Sequence, residues 1–189
     1  MRAFIGFHHV RIWSDSLQGS CDSIAYLASD SLLKMMGKPA VWSRASQITG
    51  DTLLLYTDSN RIRRLFVPGN ALIVSRTGPE KAQIFDQVQG KTLNAYFKEG
   101  ELDYMVVFPA AENIYYPKDD DGAYLGVSQA ESERMKVYFR DSKIHRIIFE
   151  QEINQKMTPL DQAVLSTMRL SRFQWLEEKR PKSRAELFK

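Results

Sequence analysis

The sequence predicts a mainly β protein made of stacked β-hairpins in a folded sheet, followed by a short C-terminal helix. Three observations carry this prediction. Segments such as QITGDTLLLYTDSNRIRRLF (residues 47–66) consist of two strand-like runs separated by turn-forming residues. Similar segments recur along the chain, and apolar residues occupy the same columns when the segments are aligned. Within each run, apolar and polar residues alternate with the period of two that is typical of a half-buried strand.

The 189-residue chain is expected to form one domain with a sizeable core, because 43% of its residues are hydrophobic and 26% are charged. No apolar run reaches the roughly 18 residues of a membrane-spanning helix. The net charge of +3 resides in the C-terminal tail, where residues 169–189 carry seven Lys/Arg and three Asp/Glu. Because the remaining chain is close to neutral, nucleic acid is not expected as a partner. The single cysteine, Cys21, excludes an intrachain disulfide and is expected to be a small apolar residue within a strand.

The internal repeat is aligned on four tyrosines, which are Tyr26, Tyr56, Tyr96 and Tyr138. Nine residues before them stand Leu17, Gln47, Gln87 and Gln129. Turn-forming residues, Asp30, Asn60, Gly100 and Ser142, stand four residues after them. Apolar residues follow at the sixth position (Leu32, Ile62, Leu102 and Ile144) and at the ninth (Met35, Leu65, Met105 and Ile147). Each copy therefore predicts one hairpin of the stack, with loop insertions at residues 76–82 and 118–126.

Side-chain directions follow from the period of two in a strand. The first and third positions before each tyrosine are predicted to face the interior, and the tyrosine itself is predicted to face outward. In the returning strand, two adjacent positions, such as Arg63 and Arg64, separate the two apolar columns. An unbroken strand cannot place both columns on one face, so a bulge or corner is predicted there. Pro39-Ala40, Gly69-Asn70 and Pro109-Ala110 are predicted to end the returning strands and turn the chain into the next one.

The character of the sequence changes after the last hairpin. Thr158-Pro159 resembles a helix start, and Leu160, Ala163, Val164 and Met168 have helical spacing. The sequence therefore predicts a repeat domain over residues 1–154 and a C-terminal helix with a basic tail over residues 155–189. Phe173, Trp175 and Leu176 are predicted to anchor this tail to the domain. The basic residues Arg172, Lys179, Arg180, Lys182 and Arg184 suit either a solvated terminus or a contact with anionic lipid or a partner protein.

At these columns, together with the segment Gly69-Asn70-Ala71-Leu72-Ile73-Val74, the sequence resembles the OstA-like family of periplasmic lipopolysaccharide-transport proteins typified by LptA. The resemblance covers roughly residues 10–150. The tail, with Phe173-Gln174-Trp175 and residues 180–183, resembles that of a larger OstA-like variant, and the chain is interpreted as a fragment because residues 3–10 begin as if within a repeat. The resemblance is carried by the repeated register rather than by any single motif.

The resemblance implies a taco-like β-jellyroll whose apolar groove holds lipid acyl chains while the sugar head group stays outside. It implies lipopolysaccharide (lipid A acyl chains) and other Lpt-type transport proteins as partners, the latter through edge strands, and a possible homo-oligomer stacked end to end. It also implies a periplasmic location and a bridge between the inner and outer membranes, with no catalytic residues and no cofactor. No export signal is visible in the sequence.

We expect the groove to be lined by the apolar residues of the inward-facing columns. These are Leu53, Leu55, Ile62, Leu65, Val67, Leu93, Leu102, Met105, Val107, Met135, Val137, Ile144, Ile147 and Phe149. Hydrocarbon tails suit such a lining because they need no directional partners. The alternative is that the same residues form a closed core in a structural β-repeat module that assembles edge to edge without a lipid ligand.

Other candidate sites in the sequence are weak. Gly90-Lys91-Thr92 resembles the end of a phosphate-binding loop, but Phe85 stands where the first glycine should be. The run 119–122, three aspartates and a glycine, lacks the ligand spacing of an EF-hand loop. His8 and His9 are adjacent, so in a regular strand they would point to opposite faces. An enzyme is not expected, because no triad, paired-carboxylate spacing or glycine-rich loop stands out.

Overall fold

The computed structural model describes residues 3–15, 17–58, 61–99, 101–140 and 143–188, and these form one antiparallel sheet folded into two facing limbs. The strands of the sheet are β1 (Ala3–Trp13), β2 (Gln18–Leu27), β3 (Leu32–Met36), β4 (Ala40–Ser43), β5 (Ser46–Thr49), β6 (Thr52–Asp58), β7 (Arg61–Val67), β8 (Ala71–Arg76), β9 (Phe85–Gly90), β10 (Thr92–Lys98), β11 (Glu101–Phe108), β12 (Ala111–Tyr115), β13 (Val127–Ser132), β14 (Arg134–Arg140), β15 (Lys143–Glu150) and β16 (Asn154–Thr158). The mainly β fold class is confirmed.

Strand order defines the two limbs. Limb A runs β15-β14-β11-β10-β7-β6-β3, and limb B runs β4-β5-β8-β9-β12-β13-β16. Strand β2 belongs to both, because its first half pairs with β4 and its second half pairs with β3. Strand β1 pairs with β2 at this end of the stack. Each returning strand of limb A continues into a strand of limb B, so the bends between them form a crease along the stack.

The predicted corner segments lie at this crease. Pro39 stands between β3 and β4, Gly69-Asn70 between β7 and β8, and Pro109-Ala110 between β11 and β12. Asn70 and Ala110 adopt positive φ angles of 50° and 54°, which turns the chain sharply into limb B. The predicted loop insertions connect β8 to β9 and β12 to β13, at the far end of limb B from the crease.

The predicted bulges are present in three of the four hairpins. The register between paired strands shifts at Arg63 in β7, at Asp103 in β11 and at His145 in β15, so each of these residues is an extra one in its strand. The bulge brings both apolar columns of the returning strand to the inner face, as the sequence pattern required. The turn residues predicted at Asn60, Gly100 and Ser142 lie outside the described residues.

The first repeat differs from the prediction. Strand β3 pairs with β2 without a register shift. Ile24 stands two positions before Tyr26 and so would face outward with it in the predicted alternation, but it is buried in the core beside Met35. Ser23 and Ala25 are partly exposed instead. The first copy is therefore offset by one residue from the other three, and a one-residue offset exchanges the two faces of a strand. Cys21 lies in β2 and is buried in the same core, and burial raises the pKa of its thiol to about 11.

The C-terminal segment also differs from the prediction. In place of the short helix, the described residues form 3-10 turns at Leu160–Gln162, Leu165–Thr167, Glu177–Lys179 and Arg184–Phe188. Ala163 and Val164 have extended backbones between the first two turns, which interrupts any helix. The sheet itself continues to Thr158, because β16 pairs with β13. From Met168 the chain runs in a mostly irregular path over the outer face of limb B.

Candidate functional site

The inner faces of limb A and limb B enclose one apolar cleft, which is the candidate functional site. Limb A contributes the alternate residues of its paired strands, for example Leu53 and Leu55 from β6 and Leu65 and Val67 from β7. Limb B contributes smaller residues such as Ala71 from β8, which face them across the crease. Large side chains on one wall and small ones on the other let the two walls approach closely near the crease.

The structure brings together all fourteen residues that the sequence assigned to the lining. Nine are fully buried near the crease: Leu53, Leu55, Leu65, Val67, Leu93, Met105, Val107, Met135 and Val137. Five are partly buried and pack against the same cluster: Ile62, Leu102, Ile144, Ile147 and Phe149. Within the described residues, the deep part of the cleft is therefore filled by the protein's own side chains. The partly exposed residues of the lining lie toward the hairpin ends of limb A and on edge strand β15.

The open side of the cleft, which we call the mouth, lies at the hairpin ends of limb A. Ile62, Leu102 and Ile144 follow the hairpin turns and present partly exposed apolar side chains there. A surface depression of about 410 Å³ at the hairpin ends is lined by Leu102 and Phe139 together with charged residues, which include Lys98 and Arg140. The mouth therefore combines an apolar wall with a charged border, an arrangement that suits an amphiphilic ligand.

The same core cluster includes residues that were not predicted from the sequence. Phe97 and Phe139 pack against the core cluster from limb A, and Ile73, Val88 and Ala111 belong to it from limb B. Phe97 and Phe139 directly follow the aligned tyrosines, so extending the alternation by one more residue would have identified them. The limb B residues follow the corners and also alternate with outward-facing neighbours.

Limb B carries polar groups at its end of the mouth. The hydroxyl oxygens of Ser46 and Ser75 are 2.7 Å apart, and the Asp86 carboxylate accepts the backbone N–H of Tyr116 at 2.9 Å. Burial raises the pKa of Asp86 to about 6, although this hydrogen bond and the positive charge of Lys118 act in the opposite direction. The inner face of limb B is thus apolar near the crease and ends in polar groups, which include a carboxyl group with a pKa of about 6.

The outer face of limb A carries a row of aromatic and basic side chains. Tyr96 and Tyr104 are stacked with ring centroids 4.6 Å apart, and Tyr104 stacks on Tyr138 at 5.9 Å. The guanidinium group of Arg64 lies 5.3 Å from the ring centroid of Tyr56 and 5.8 Å from that of Tyr96, and it donates to the Asn94 side chain. Because the ring faces are covered by neighbours, this row joins adjacent strands and is not an open sugar-binding platform.

The two ends of the stack expose strand edges. Strand β1 pairs with β2, whereas β15 pairs with β14 and β16 pairs with β13, and no further strand of the described chain covers these three edges. On β1, Phe4, Ile5 and Phe7 are 62%, 57% and 66% exposed. Exposed edges with apolar side chains are templates for pairing with another chain.

The described residues contain no group of three or more His, Cys, Asp or Glu side chains placed to hold a metal ion. His8 and His9 both adopt positive φ angles at a bulge in β1, so the regular-strand geometry that was expected for them does not apply. His8 Nδ1 lies 4.0 Å from a carboxylate oxygen of Asp22. Among all the residues that the structure describes, no helix has the length and apolar character needed to cross a membrane.

Comparison with known proteins gives a structural match. No family model matches the sequence, and no curated protein is detectably similar to it. Among solved structures, the fold resembles that of LptH, described as the LptA homologous periplasmic component of the conserved lipopolysaccharide transport device from Pseudomonas aeruginosa. The match has a TM-score of 0.57 and 15% sequence identity, and it covers 76% of this chain and 95% of the LptH chain. The chain therefore has the β-jellyroll fold of LptH, the fold that the resemblance in sequence implied.

Proposed function

We propose that the protein is a non-enzymatic carrier of lipopolysaccharide that shields lipid A acyl chains in the cleft between its two limbs. The observation that supports this most directly is the convergence of all fourteen inward-facing apolar residues on one cleft with a partly exposed mouth. The fold shared with LptH, a periplasmic component of a lipopolysaccharide transport device, supports the same class of ligand.

The arrangement of the strands would allow the cleft to open at its mouth. Within each limb, neighbouring strands are joined by ladder hydrogen bonds, whereas the two limbs face each other near the mouth through side chains. Parting the limbs at the mouth therefore separates apolar contacts without breaking a strand ladder. Acyl chains would replace these contacts, and each buried methylene contributes about 0.8 kcal/mol. Ile62, Leu102 and Ile144 would be the first residues to meet lipid, and the nine crease residues would be reached as the limbs part.

The exposed edges support a further part of the proposal. Strand β1 at one end of the stack and strands β15 and β16 at the other would pair with other Lpt-type transport proteins or with further copies of this chain. Such end-to-end pairing would align successive clefts into a path between the inner and outer membranes, with the protein in the periplasm. The partner would add a strand to an existing ladder, and the choice between antiparallel and parallel pairing would set the partner's orientation.

The experiment that tests lipid binding is recovery of lipid A from the purified protein by mass spectrometry. Leu102→Asp places a charge in the apolar wall of the mouth, where the side chain is partly exposed, so the fold is expected to survive. Leu55→Asp tests the deep cleft, where the side chain is 3% exposed. The matched control is Lys34→Asp, because Lys34 is exposed and its strand position faces away from the cleft.

We expect Leu102→Asp to lose most of the recovered lipid and Lys34→Asp to retain the wild-type amount. Circular dichroism and thermal unfolding would establish that each variant is folded, which matters most for Leu55→Asp. Equal recovery of lipid from folded Leu102→Asp, Lys34→Asp and wild-type protein would contradict the proposal. Absence of lipid from all three, combined with oligomers that survive delipidation, would instead favour the structural β-repeat module.

A further inference from the structure

The C-terminal segment 168–180, which we call the strap, is held on the outer face of limb B by glutamine side chains. Gln87 in β9 donates from Nε2 to the carbonyl oxygen of Met168 at 2.8 Å and accepts the backbone N–H of Leu170 on Oε1 at 2.9 Å. One side-chain amide therefore satisfies a carbonyl and an N–H two residues apart, as a neighbouring β-strand would.

Gln47, at the same column of the preceding repeat, makes the equivalent pair of bonds. Its Nε2 donates to the carbonyl oxygen of Gln174 at 2.9 Å, and its Oε1 accepts the backbone N–H of Leu176 at 2.7 Å. Gln47 and Gln87 are each 0% exposed. The repeat column of glutamines therefore contacts the strap backbone at two places six residues apart.

Further polar contacts extend the strap along limb B. Gln89 accepts the backbone N–H of Arg172 at 3.2 Å and donates to the Ser171 hydroxyl at 3.0 Å.

Two basic residues of the strap also bind limb B. The guanidinium group of Arg180 donates twice to Gln18 Oε1, at 3.0 and 2.7 Å, and once to the carbonyl oxygen of Arg44. Arg172 donates to the carbonyl oxygen of Gly90 at 3.0 Å. Two of the basic residues of the tail are thus engaged with limb B, in neither of the roles expected from the sequence.

Two aromatic side chains of the strap pack on an apolar strip of the outer face. Phe173 and Trp175 lie with ring centroids 5.4 and 5.2 Å from that of Phe85, and they cover the buried side chains of Leu72 and Val74. The guanidinium group of Arg76 lies 5.1 Å from the Trp175 ring. The strap therefore has the two components of a bound peptide, which are backbone hydrogen bonds for affinity and side-chain pockets for specificity.

The strap lies outside the sheet that it covers. Its described residues belong to none of the sixteen strands, and its contacts with limb B run through side chains instead of a backbone ladder. The segment that joins it to β16, residues 159–167, consists largely of two 3-10 turns with mostly exposed residues. Release of the strap would therefore leave every strand pair of the sheet in place.

We propose that the outer face of limb B is a binding site for an extended peptide, and that the strap is a separable ligand of this site. A second copy of the strap sequence occupies the site when the chain's own strap is released. The site requires a backbone that presents a carbonyl and an N–H to each glutamine, with an aromatic residue on either side of the residue whose carbonyl meets Gln47. Because a short tether gives the strap a high effective concentration, a free peptide competes poorly with it in the intact chain. This inference is independent of lipid binding in the cleft.

The test uses the full chain and a fluorescein-labelled peptide of residues 166–182, with binding followed by fluorescence anisotropy. Phe173→Ala with Trp175→Ala weakens the strap and leaves the site intact, so we expect the peptide to bind this variant about tenfold or more tightly than it binds the wild type. Addition of Gln47→Leu and Gln87→Leu removes the backbone contacts and is expected to weaken that binding by about tenfold or more. Tryptic cleavage at Arg172 reports release of the strap, and circular dichroism reports the fold.

The inference is overturned if the weakened chain is folded and is cleaved at Arg172 yet does not bind the peptide. Equal binding with and without the two glutamines would also overturn it. A second measurement covers the case in which the weakened chain does not fold. A protease site is placed after Asp161 or Gln162, which are both exposed, and the chain is cut after folding. Exchange of the cut strap for excess labelled peptide supports the inference, whereas a strap that stays bound without exchange contradicts it.

Discussion

Gly90 lies directly against Val107 at the crease between the two limbs. A Cβ atom added at position 90 would overlap Cγ1 of Val107, and Gly50 has the same relationship to Val67 one repeat earlier. Gly50 and Gly90 share one position of the repeat, where limb B turns into limb A, and Val67 and Val107 share another, near the end of a returning strand of limb A. The absence of a side chain at these glycines lets the inner wall of limb A reach the bend, which closes the crease.

We expect Gly90→Ala to destabilise the protein by about 1–3 kcal/mol, because the added methyl group overpacks a buried site. Combining it with Val107→Ala should cost less than the sum of the two single substitutions, since the smaller side chain makes room for the methyl group. Urea denaturation of the four proteins measures this coupling. Strict additivity would show that the two residues do not compete for the same space.

Stacking of Tyr96 on Tyr104 is expected to couple the two residues energetically. Replacing both by Ala in a double-mutant cycle should give an interaction energy of about 0.5–1.5 kcal/mol, which is typical of aromatic pairs. Tyr26 with Tyr104 is the control pair, because four strands lie between β2 and β11 in the sheet. A coupling for Tyr96 and Tyr104 no larger than that of the control pair would contradict a role for the aromatic row in joining the strands.

Asp86 is expected to make stability fall as pH rises. Its pKa is raised to about 6 in the folded protein, and an unfolded aspartate titrates near pH 4, so between these values the folded state holds a proton that the unfolded state has released. The free energy of unfolding should therefore decrease from about pH 4 to about pH 6 and then stay level, as far as this group is concerned.

Asp86→Asn removes this dependence, because the amide stays neutral and its oxygen still accepts the Tyr116 N–H. We expect the variant to be more stable than the wild type by roughly 1–3 kcal/mol at pH 8, with a difference that shrinks toward pH 4. Urea denaturation at several pH values measures the difference, with Asp120→Asn in the exposed loop as the control. A constant difference across the pH range would contradict this origin.

Deleting the bulge residue Asp103 should be tolerated better than deleting Val106 from the same strand. Leu102 and Met105 are three positions apart across the bulge, and without Asp103 they would stand two positions apart in a regular strand, so both would keep facing the cleft. Deletion of Val106 exchanges the faces of one half of β11, so either Met105 or Val107 must turn outward, which removes about 1.5–3 kcal/mol of burial energy per side chain. Thermal unfolding of the two deletion variants compares them, and equal destabilisation would contradict the bulge assignment.

The sheet and the cleft could be predicted largely from the sequence, because their determinants are local. Hairpins, bulges and corners follow from the alternation of residues within about twenty positions, and four copies of one pattern reinforce each other. The first copy was assigned to the wrong face because its alignment on Tyr26 ignored the missing bulge in β3. An error of a single residue is enough to exchange faces, so the tyrosine alone was a poor reference there.

The strap could not be predicted because its partners are distant in sequence. Gln47 contacts backbone 127 and 129 residues away, and nothing in the local pattern of either segment specifies the other. The repeated glutamines were visible as a column, but their role depends on a segment outside the repeat. The helical spacing of Leu160, Ala163 and Met168 was misleading, because these residues pack on the sheet from 3-10 turns and extended backbone rather than from one helix.

The repeated bends at the crease allow the number of repeats to change without a change of fold. Every repeat contributes one hairpin to limb A and strands to limb B, and the close contact of Gly50 with Val67 recurs one repeat later between Gly90 and Val107. Duplication or loss of a whole repeat would therefore change the length of the cleft while leaving its cross-section unaltered. The length and the width of the cleft are thus set by separate features of the sequence. The number of repeats sets the length, and the size of the side chains at the bend sets the width.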